Sequence, residues 1–268
     1  MTASTSSPPP RVVFITGGAS GIGAQCARLF ASEGYHVVIA DINAALGEAL
    51  AKEINGAGST QAVFASCNVT SLQSLEEAVA LGVSSFGRLD VAINCAGITG
   101  GKLQRIVDLP ESEFDKVHSI DTRGMFLSLK AELKVMLTQS PTSSSPRASR
   151  GIIINVASRA GLEGVPTFGA YCTAKHGSVG LTKVAALEHA EDRIRINAIA
   201  PGLIRTPGHT SDPTHRDLDA RLAAAVPMKR WADPEECADA ILFLASDASS
   251  FMTGAVLEVD GGMAAKSR

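Results

Sequence analysis

The sequence predicts an α/β protein: a doubly wound parallel sheet with helices on both faces, in one domain. Three observations carry this expectation. Short runs rich in β-branched residues alternate with segments whose apolar residues recur at helical spacing, the mark of βαβ units and a mainly parallel sheet. The 268 residues are 45% hydrophobic and 19% charged, values of a globular chain able to bury a substantial core. No shift of composition cuts the chain in two.

The elements follow in order. "RVVFIT" is a short β-branched run ending at a glycine-rich turn, and reads as a buried strand. "SGIGAQCARLFASEG" places Ile22, Cys26, Leu29 and Phe30 on one helical face and stops at Gly34. "HVVIAD" is a second strand, "AALGEALAKEINGAG" a helix closing on Gly56, and "QAVFASCNV" a third strand. "SLQSLEEAVALGVSSFG" is a helix and "LDVAINCAG" a fourth strand. One helix is expected near Glu111–Leu137, then the strand "GIIINVAS", a helix from about Gly169 to Ala190, and the strand "IRINAIAP". A helix near Pro234–Ala245 precedes the last strand, "AVLEVDGG".

Three segments stand outside the alternation. Residues 1–10, rich in Ser, Thr and Pro, read as a flexible tail, and the domain proper as 11–268. Residues 138–150, "TQSPTSSSPRASR", read as a surface insertion. Residues 203–231 form a long connection with three prolines, the kind of segment that covers a substrate.

Charge and cysteines exclude several function classes. The net charge of −3 and the scattered basic residues leave no nucleic-acid footprint. Five cysteines, an odd number with no C-x-x-C pair, argue against a disulfide framework and against a metal site. They point to a reducing compartment, and so to the cytoplasm. The start of the chain lacks the basic and apolar blocks of a secretory signal, and no apolar run is long enough to span a bilayer.

"TGGASGIG" (Thr16–Gly23) falls between the first strand and first helix. Glycines there let the backbone approach a pyrophosphate, and the helix N-terminus offers N–H groups to it. The contacts expected from this loop are Gly17, Ser20, Gly21, Ile22 and Gly23. Asp41 ends the second strand, 18 residues after Gly23. Its carboxylate suits the hydroxyls of an adenosine ribose and repels a 2′-phosphate, which favours NAD over NADP. A helix N-cap is the competing reading of Asp41.

"TFGAYCTAKHG" sets Tyr171 and Lys175 at i and i+4 on one helical face, with Ser158 thirteen positions upstream of the tyrosine. The pair is either a surface contact on an amphipathic helix or a proton-transfer device. A phenol titrates near pH 10, and a neighbouring ammonium favours its phenolate.

These stretches together resemble the classical short-chain dehydrogenase/reductase family over about Arg11 to Met263. The resemblance rests on "TGGASGIG", "NCAG" (Asn94–Gly97), Ser158 with "YCTAK", "PGLIRT" (Pro201–Thr206) and "TGAVLEVDGG". It implies a Rossmann-like sheet of about seven strands and a Ser158–Tyr171–Lys175 catalytic set. Tyr171 would be the general acid/base of hydride transfer between a secondary alcohol or ketone and NAD. Ser158 would hold the substrate oxygen. The resemblance also implies cofactor contacts from Asn68, Val69, Asn94, Ala96, Gly97, Tyr171, Lys175, Pro201, Gly202, Ile204 and Thr206. Asp121 stands where the family has a catalytic asparagine, and is taken as the fourth member of the set. In the family that residue's backbone carbonyl holds a water leading to the lysine.

The segment 159–169 beside Ser158 is mostly small or apolar, which fits a neutral alcohol or ketone. Arg159 or Arg205 is the alternative that would meet a carboxylate. The remaining partner is a second copy, since the helices near 111–137 and 169–190 match those that build dimers and tetramers in the family. Two rival functions stay open on this fold: a lyase, epimerase or cyclase without net redox, and a nucleotide-sensing protein with reduced catalysis.

Overall fold

Alternation of β-branched runs with amphipathic segments produces one sheet sandwiched by helices. The computed structural model describes residues 10–58, 60–101, 103–206 and 216–266. The tail expected at 1–10 thus lies almost wholly outside the described residues, as do positions 207–215 of the 203–231 connection.

The strands are β1 (Val12–Thr16), β2 (His36–Asp41), β3 (Ala62–Ser66), β4 (Val91–Asn94), β5 (Gly151–Val156), β6 (Ile194–Pro201) and β7 (Val256–Val259). They form one seven-stranded sheet in the order β3-β2-β1-β4-β5-β6-β7, every pair parallel. The helices are α1 (Gly21–Ser32), α2 (Ala44–Ala57), α3 (Leu72–Phe86), α4 (Glu111–Asp121), α5 (Arg123–Met136), α6 (Gly169–His189), α7 (Arg216–Ala225) and α8 (Pro234–Ala245).

The strands are apolar on both faces because both are covered. Val13, Ile15, Val37, Ile39 and Ile154 enter one core with Phe30 of α1, Leu50 of α2 and Ile241 of α8. Val12, Phe14, Val38, Ala92 and Ile153 enter the other with Leu75 of α3, Leu127 of α5 and Ala185 of α6. Local chemistry sets the helix ends. Asn43 and Ser71 cap α2 and α3 by accepting from Leu46 N–H (3.1 Å) and Ser74 N–H (3.3 Å). Gly87 ends α3 at φ 87°, a left-handed turn open to glycine.

The helix expected near Glu111–Leu137 is two helices broken at Thr122. There the Thr122 hydroxyl donates to Ala174 O of α6 (3.2 Å), and the Ser178 hydroxyl reaches Asp121 O (3.3 Å). The junction is thus bonded to α6 in both directions, through the Thr122 hydroxyl and the Ser178 hydroxyl, which periodicity along one segment cannot report. In 138–150 the exposed residues are mainly 142–147, while Ala148 and Ser149 are buried and Gln139 bonds to Leu89 and Arg150. Among the described residues no helix is long and apolar enough to cross a membrane.

Candidate active site

Strand order reverses between β1 and β4, since β1 neighbours β2 on one side and β4 on the other. At such a switch point the loops leaving the carboxyl ends diverge and open a crevice. A cavity of about 680 Å³ lies there.

Its first wall is the glycine loop. Gly17 has φ 64° and Gly21 φ 52°, left-handed values that suit glycine. A Cβ on Gly17 would lie 2.8 Å from the Ala96 backbone, and one on Gly23 would lie 2.2 Å from Gly17 O. The loop therefore closes against β4 only with bare backbone. Ser20 precedes α1 in extended conformation, makes no side-chain capping bond, and lines the cavity with Gly17, Gly21 and Ile22. Gly23 sits behind the loop and does not line it; its role is the close packing just described.

Asp41 also lines the cavity. One carboxylate oxygen accepts from Ala19 N–H (3.0 Å) and the other from Asn43 N–H (2.9 Å). The cap of α2 is Asn43, so the N-cap reading of Asp41 does not hold. Asn68 and Val69 follow β3 on the same wall. The Asn68 side-chain carbonyl accepts from Thr70 N–H (3.0 Å) and the Thr70 hydroxyl (2.8 Å). The Asn68 amide group remains as a donor.

Ala96 and Gly97 line the next stretch, but Asn94 turns away into the core. Asn94 is thus a framework residue and not a lining one. A Cβ on Gly97 would stand 3.0 Å from Asp121 Oδ2 and 3.2 Å from Lys175 Nζ, so glycine here leaves room for that pair. Cys95 lines the cavity too, and burial pushes its thiol up to about 11, away from nucleophilic reactivity. Cys95 and Leu203, within "NCAG" and "PGLIRT", line the cavity as well, as do Thr99 and Trp231, which no short-range pattern in the sequence marks.

Ser158, Tyr171, Lys175 and Asp121 come together at the far end. Ser158 follows β5, and its Oγ accepts from Ala160 N–H (3.1 Å), leaving its O–H to donate. Tyr171 opens α6 behind Thr167, whose φ of 70° is rare for a β-branched residue and marks a constrained turn. Lys175 Nζ lies 5.6 Å from the centre of the Tyr171 ring. It donates to Val156 O (3.2 Å) and sits 3.0 Å from Asp121 Oδ2. Asp121 and Lys175 are both buried, with side chains 0% and 5% exposed. Proximity of charge holds the contact, because Oδ2 receives no well-directed hydrogen bond. Asp121 Oδ1 accepts from Ile98 N–H (2.8 Å). Burial works against the Lys175 ammonium, but the Asp121 carboxylate and Tyr171 outweigh it and hold the lysine above its ordinary value.

The closing wall is the "PGLIRT" loop: Pro201, Gly202, Ile204 and Thr206 all line the cavity. It is tied to the segment before α8, with Arg205 N–H on Ala232 O (2.9 Å) and Ala232 N–H on Leu203 O (3.0 Å). Trp231 of that segment is buried and donates its indole N–H to Asp219 O of α7 (3.1 Å). Beside Ser158, Arg159 is salt-bridged to Glu163 and does not line the cavity. His176 Nδ1 is spent on Cys172 O (2.8 Å).

The chain matches the family model described as "Enoyl-(Acyl carrier protein) reductase" over residues 17–264. It is 40% identical to trans-4-hydroxycyclohexanecarboxylate dehydrogenase of Sinomonas cyclohexanicum, over 94% of this chain and 92% of that one. It is 36% identical to 2,5-dichloro-2,5-cyclohexadiene-1,4-diol dehydrogenase of Sphingobium indicum, over 95% and 97%. Levodione reductase superposes with a TM-score of 0.87 at 35% identity, covering 96% of this chain and 98% of that one.

Proposed function

Since this chain belongs to the short-chain dehydrogenase/reductase family, we propose that it is an NAD-dependent oxidoreductase interconverting an uncharged, ring-bearing secondary alcohol and its ketone. The observation that carries this reading is the convergence of Ser158, Tyr171 and a buried Lys175 at the end of a cavity that begins at a bare-backbone glycine loop.

The cavity fits a dinucleotide. The loop before α1 would present backbone to a pyrophosphate, Asp41, held by two backbone N–H groups, would take ribose hydroxyls, and the Asn68 amide would take an adenine edge. Gly202, Ile204 and Thr206, on the opposite wall, would hold the nicotinamide end. When bound, the nicotinamide supplies the hydride acceptor or donor. The protein does the rest. The Ser158 hydroxyl donates to the substrate oxygen and stabilises charge developing there. Tyr171 takes the hydroxyl proton in oxidation and returns it in reduction. The third Lys175 N–H, beyond those on Val156 O and toward Asp121, would hold the nicotinamide ribose. Residues 203–231 would cover the substrate.

Substrate charge follows from the lining. Lys175 is the only lysine or arginine among the described lining residues, and Asp121 already neutralises it. Arg159 is neutralised by Glu163. The two named relatives act on six-membered ring alcohols, one of them bearing a carboxylate. Of these the uncharged kind suits this cavity. The test is a panel of cyclic alcohols and ketones, with and without a carboxylate, followed by nicotinamide absorbance. Turnover confined to carboxylates, or no turnover at all, would overturn the reading.

Cofactor choice is checked at Asp41. The unmodified protein is expected to bind NAD far more tightly than NADP, through like-charge repulsion of the 2′-phosphate. Asp41→Ala should weaken NAD and admit NADP, narrowing the ratio in fluorescence titrations. Equal affinity of the unmodified protein for both removes Asp41 as the selector.

Asp121 makes a second prediction. Its carboxylate shares the positive field of Lys175, which otherwise acts on Tyr171 alone. Asp121→Asn is expected to move the low-pH limb of the kcat/KM profile for alcohol oxidation, where the base must lose its proton, to lower pH. A limb that stays or moves upward places Asp121 outside the proton path.

Assembly and location complete the proposal. Phe126 on α5 and Val184 and Leu187 on α6 expose apolar surface that a second copy would cover, giving a dimer or tetramer. All five cysteines are free thiols, as the cytoplasm keeps them.

A further inference from the structure

Beneath the sheet lies a carboxyl group that the reaction does not use. Glu132, on α5, is 0% exposed. Its Oε2 accepts from Asn94 Nδ2 at 3.1 Å. Its Oε1 and the Asn94 Oδ1 are both buried acceptors without a donor. Two side chains that share one hydrogen bond and each keep an orphaned acceptor show the pattern left when one proton is missing between them. As a carboxylate, Glu132 would be a buried charge with a single hydrogen bond, which folded proteins avoid. As a carboxylic acid it is one O–H donor richer, and acid and amide can each donate once and accept once.

We propose that Glu132 is a positioning residue that carries a proton on Oε1 and donates it to Asn94 Oδ1, closing a cyclic acid–amide pair. The consequence reaches the site through short links. Asn94 ends β4, and Cys95, Ala96 and Gly97 after it line the cavity. The second Asn94 Nδ2 hydrogen goes to Asn155 Oδ1 (3.0 Å), three residues before Ser158. Asn155 Nδ2 donates to Thr182 Oγ1 (2.9 Å) on α6, the helix of Tyr171 and Lys175. The protonated pair thus fixes β4, β5 and α6 at their site-bearing ends. That consequence rests on the dinucleotide reading; the proton does not.

The surroundings supply no counter-charge among the described residues. From β4 the group bonded to Glu132 is the Asn94 amide, which in turn is bonded to the Asn155 amide of β5. Asp90, before β4, is taken by Arg88 and Val12 N–H. Glu76 of α3 pairs with Lys134 at the surface, and Asp121 of α4 with Lys175. The Cys67 thiol after β3 is close enough to feel Glu132, and burial pushes that thiol up to about 12. Burial likewise raises the Glu132 carboxyl from its ordinary 4.5 to about 8, against a smaller opposing pull from Asn94. The folded protein therefore keeps a proton that the unfolded chain releases from about pH 4.5 upward. Stability from this group is full below 4.5 and is lost as the pH climbs through 8.

Glu132→Gln separates the possibilities, because its amide N–H donates to Asn94 Oδ1 permanently and its carbonyl accepts from Asn94 Nδ2. Infrared difference spectra of the full chain, unmodified minus Gln variant, are expected to show a protonated-carboxyl band at pH 7. The band should titrate away with a midpoint of about 8. In thermal melts the Gln variant should gain on the unmodified protein steadily from pH 5 to pH 8. No such band at pH 7, parallel melting curves across that range, or a Gln variant that does not fold would each overturn the proposal. Neither readout involves cofactor or substrate, so failure here is distinct from failure of the dehydrogenase reading.

Discussion

Replacing Tyr171 by phenylalanine is expected to lower kcat by roughly 10²–10⁴-fold, the usual share of a positioned acid/base, while NAD affinity stays within about twofold of the unmodified protein. The ring keeps its packing: Phe168 meets it edge-on at 6.2 Å between centres, and Lys175 Nζ stays 5.6 Å from its centre. Only the phenolic oxygen goes, and with it the group that exchanges a proton with the substrate oxygen. Steady-state rates at saturating NAD, alongside a binding titration, check both halves. Turnover above about a tenth of the unmodified rate would mean that another group carries the proton.

Lys175→Met should cost both activity and stability. The ammonium is what compensates a wholly buried carboxylate 3.0 Å away. Removing one partner of such a pair costs about 3–5 kcal/mol because the other charge stays buried. The Ile98 N–H still donates to Asp121 Oδ1, which puts the expected loss near the lower end. Denaturant midpoints measure it. Lys175→Met combined with Asp121→Asn should recover most of the stability and none of the activity. A single variant as stable as the unmodified protein would show that the pair is not a buried ion pair in solution. A double variant no better than the single would assign the loss to packing of the lysine stem.

Much of this architecture is written in short stretches of chain. β1, β2 and β5 are legible because a strand covered on both faces needs consecutive β-branched residues. The glycine loop is legible because backbone closeness to Ala96 admits no other residue. Tyr171 and Lys175 are one turn apart on α6, so their facing is a property of helix pitch alone. The break at Thr122 is not of this kind. It depends on Ala174 and Ser178, more than fifty residues away, reaching across from α6.

The sequence by itself determined the alternation of elements, the glycine loop after β1, the acidic residue at the end of β2 and the one-turn spacing of Tyr171 and Lys175 on α6. Each follows from interactions between near neighbours, or from a backbone geometry that one residue type satisfies. The tertiary structure decided the rest. It turned Asn94 inward to Glu132, set Asp121 against Lys175 at the buried end of the cavity, and brought Trp231 to the cavity wall. It also paired Arg159 with Glu163 beside Ser158. The physical reason is common to the distant pairs. A buried polar group is governed by the partner that meets it once water has gone, and parallel crossovers bring that partner from tens of residues away.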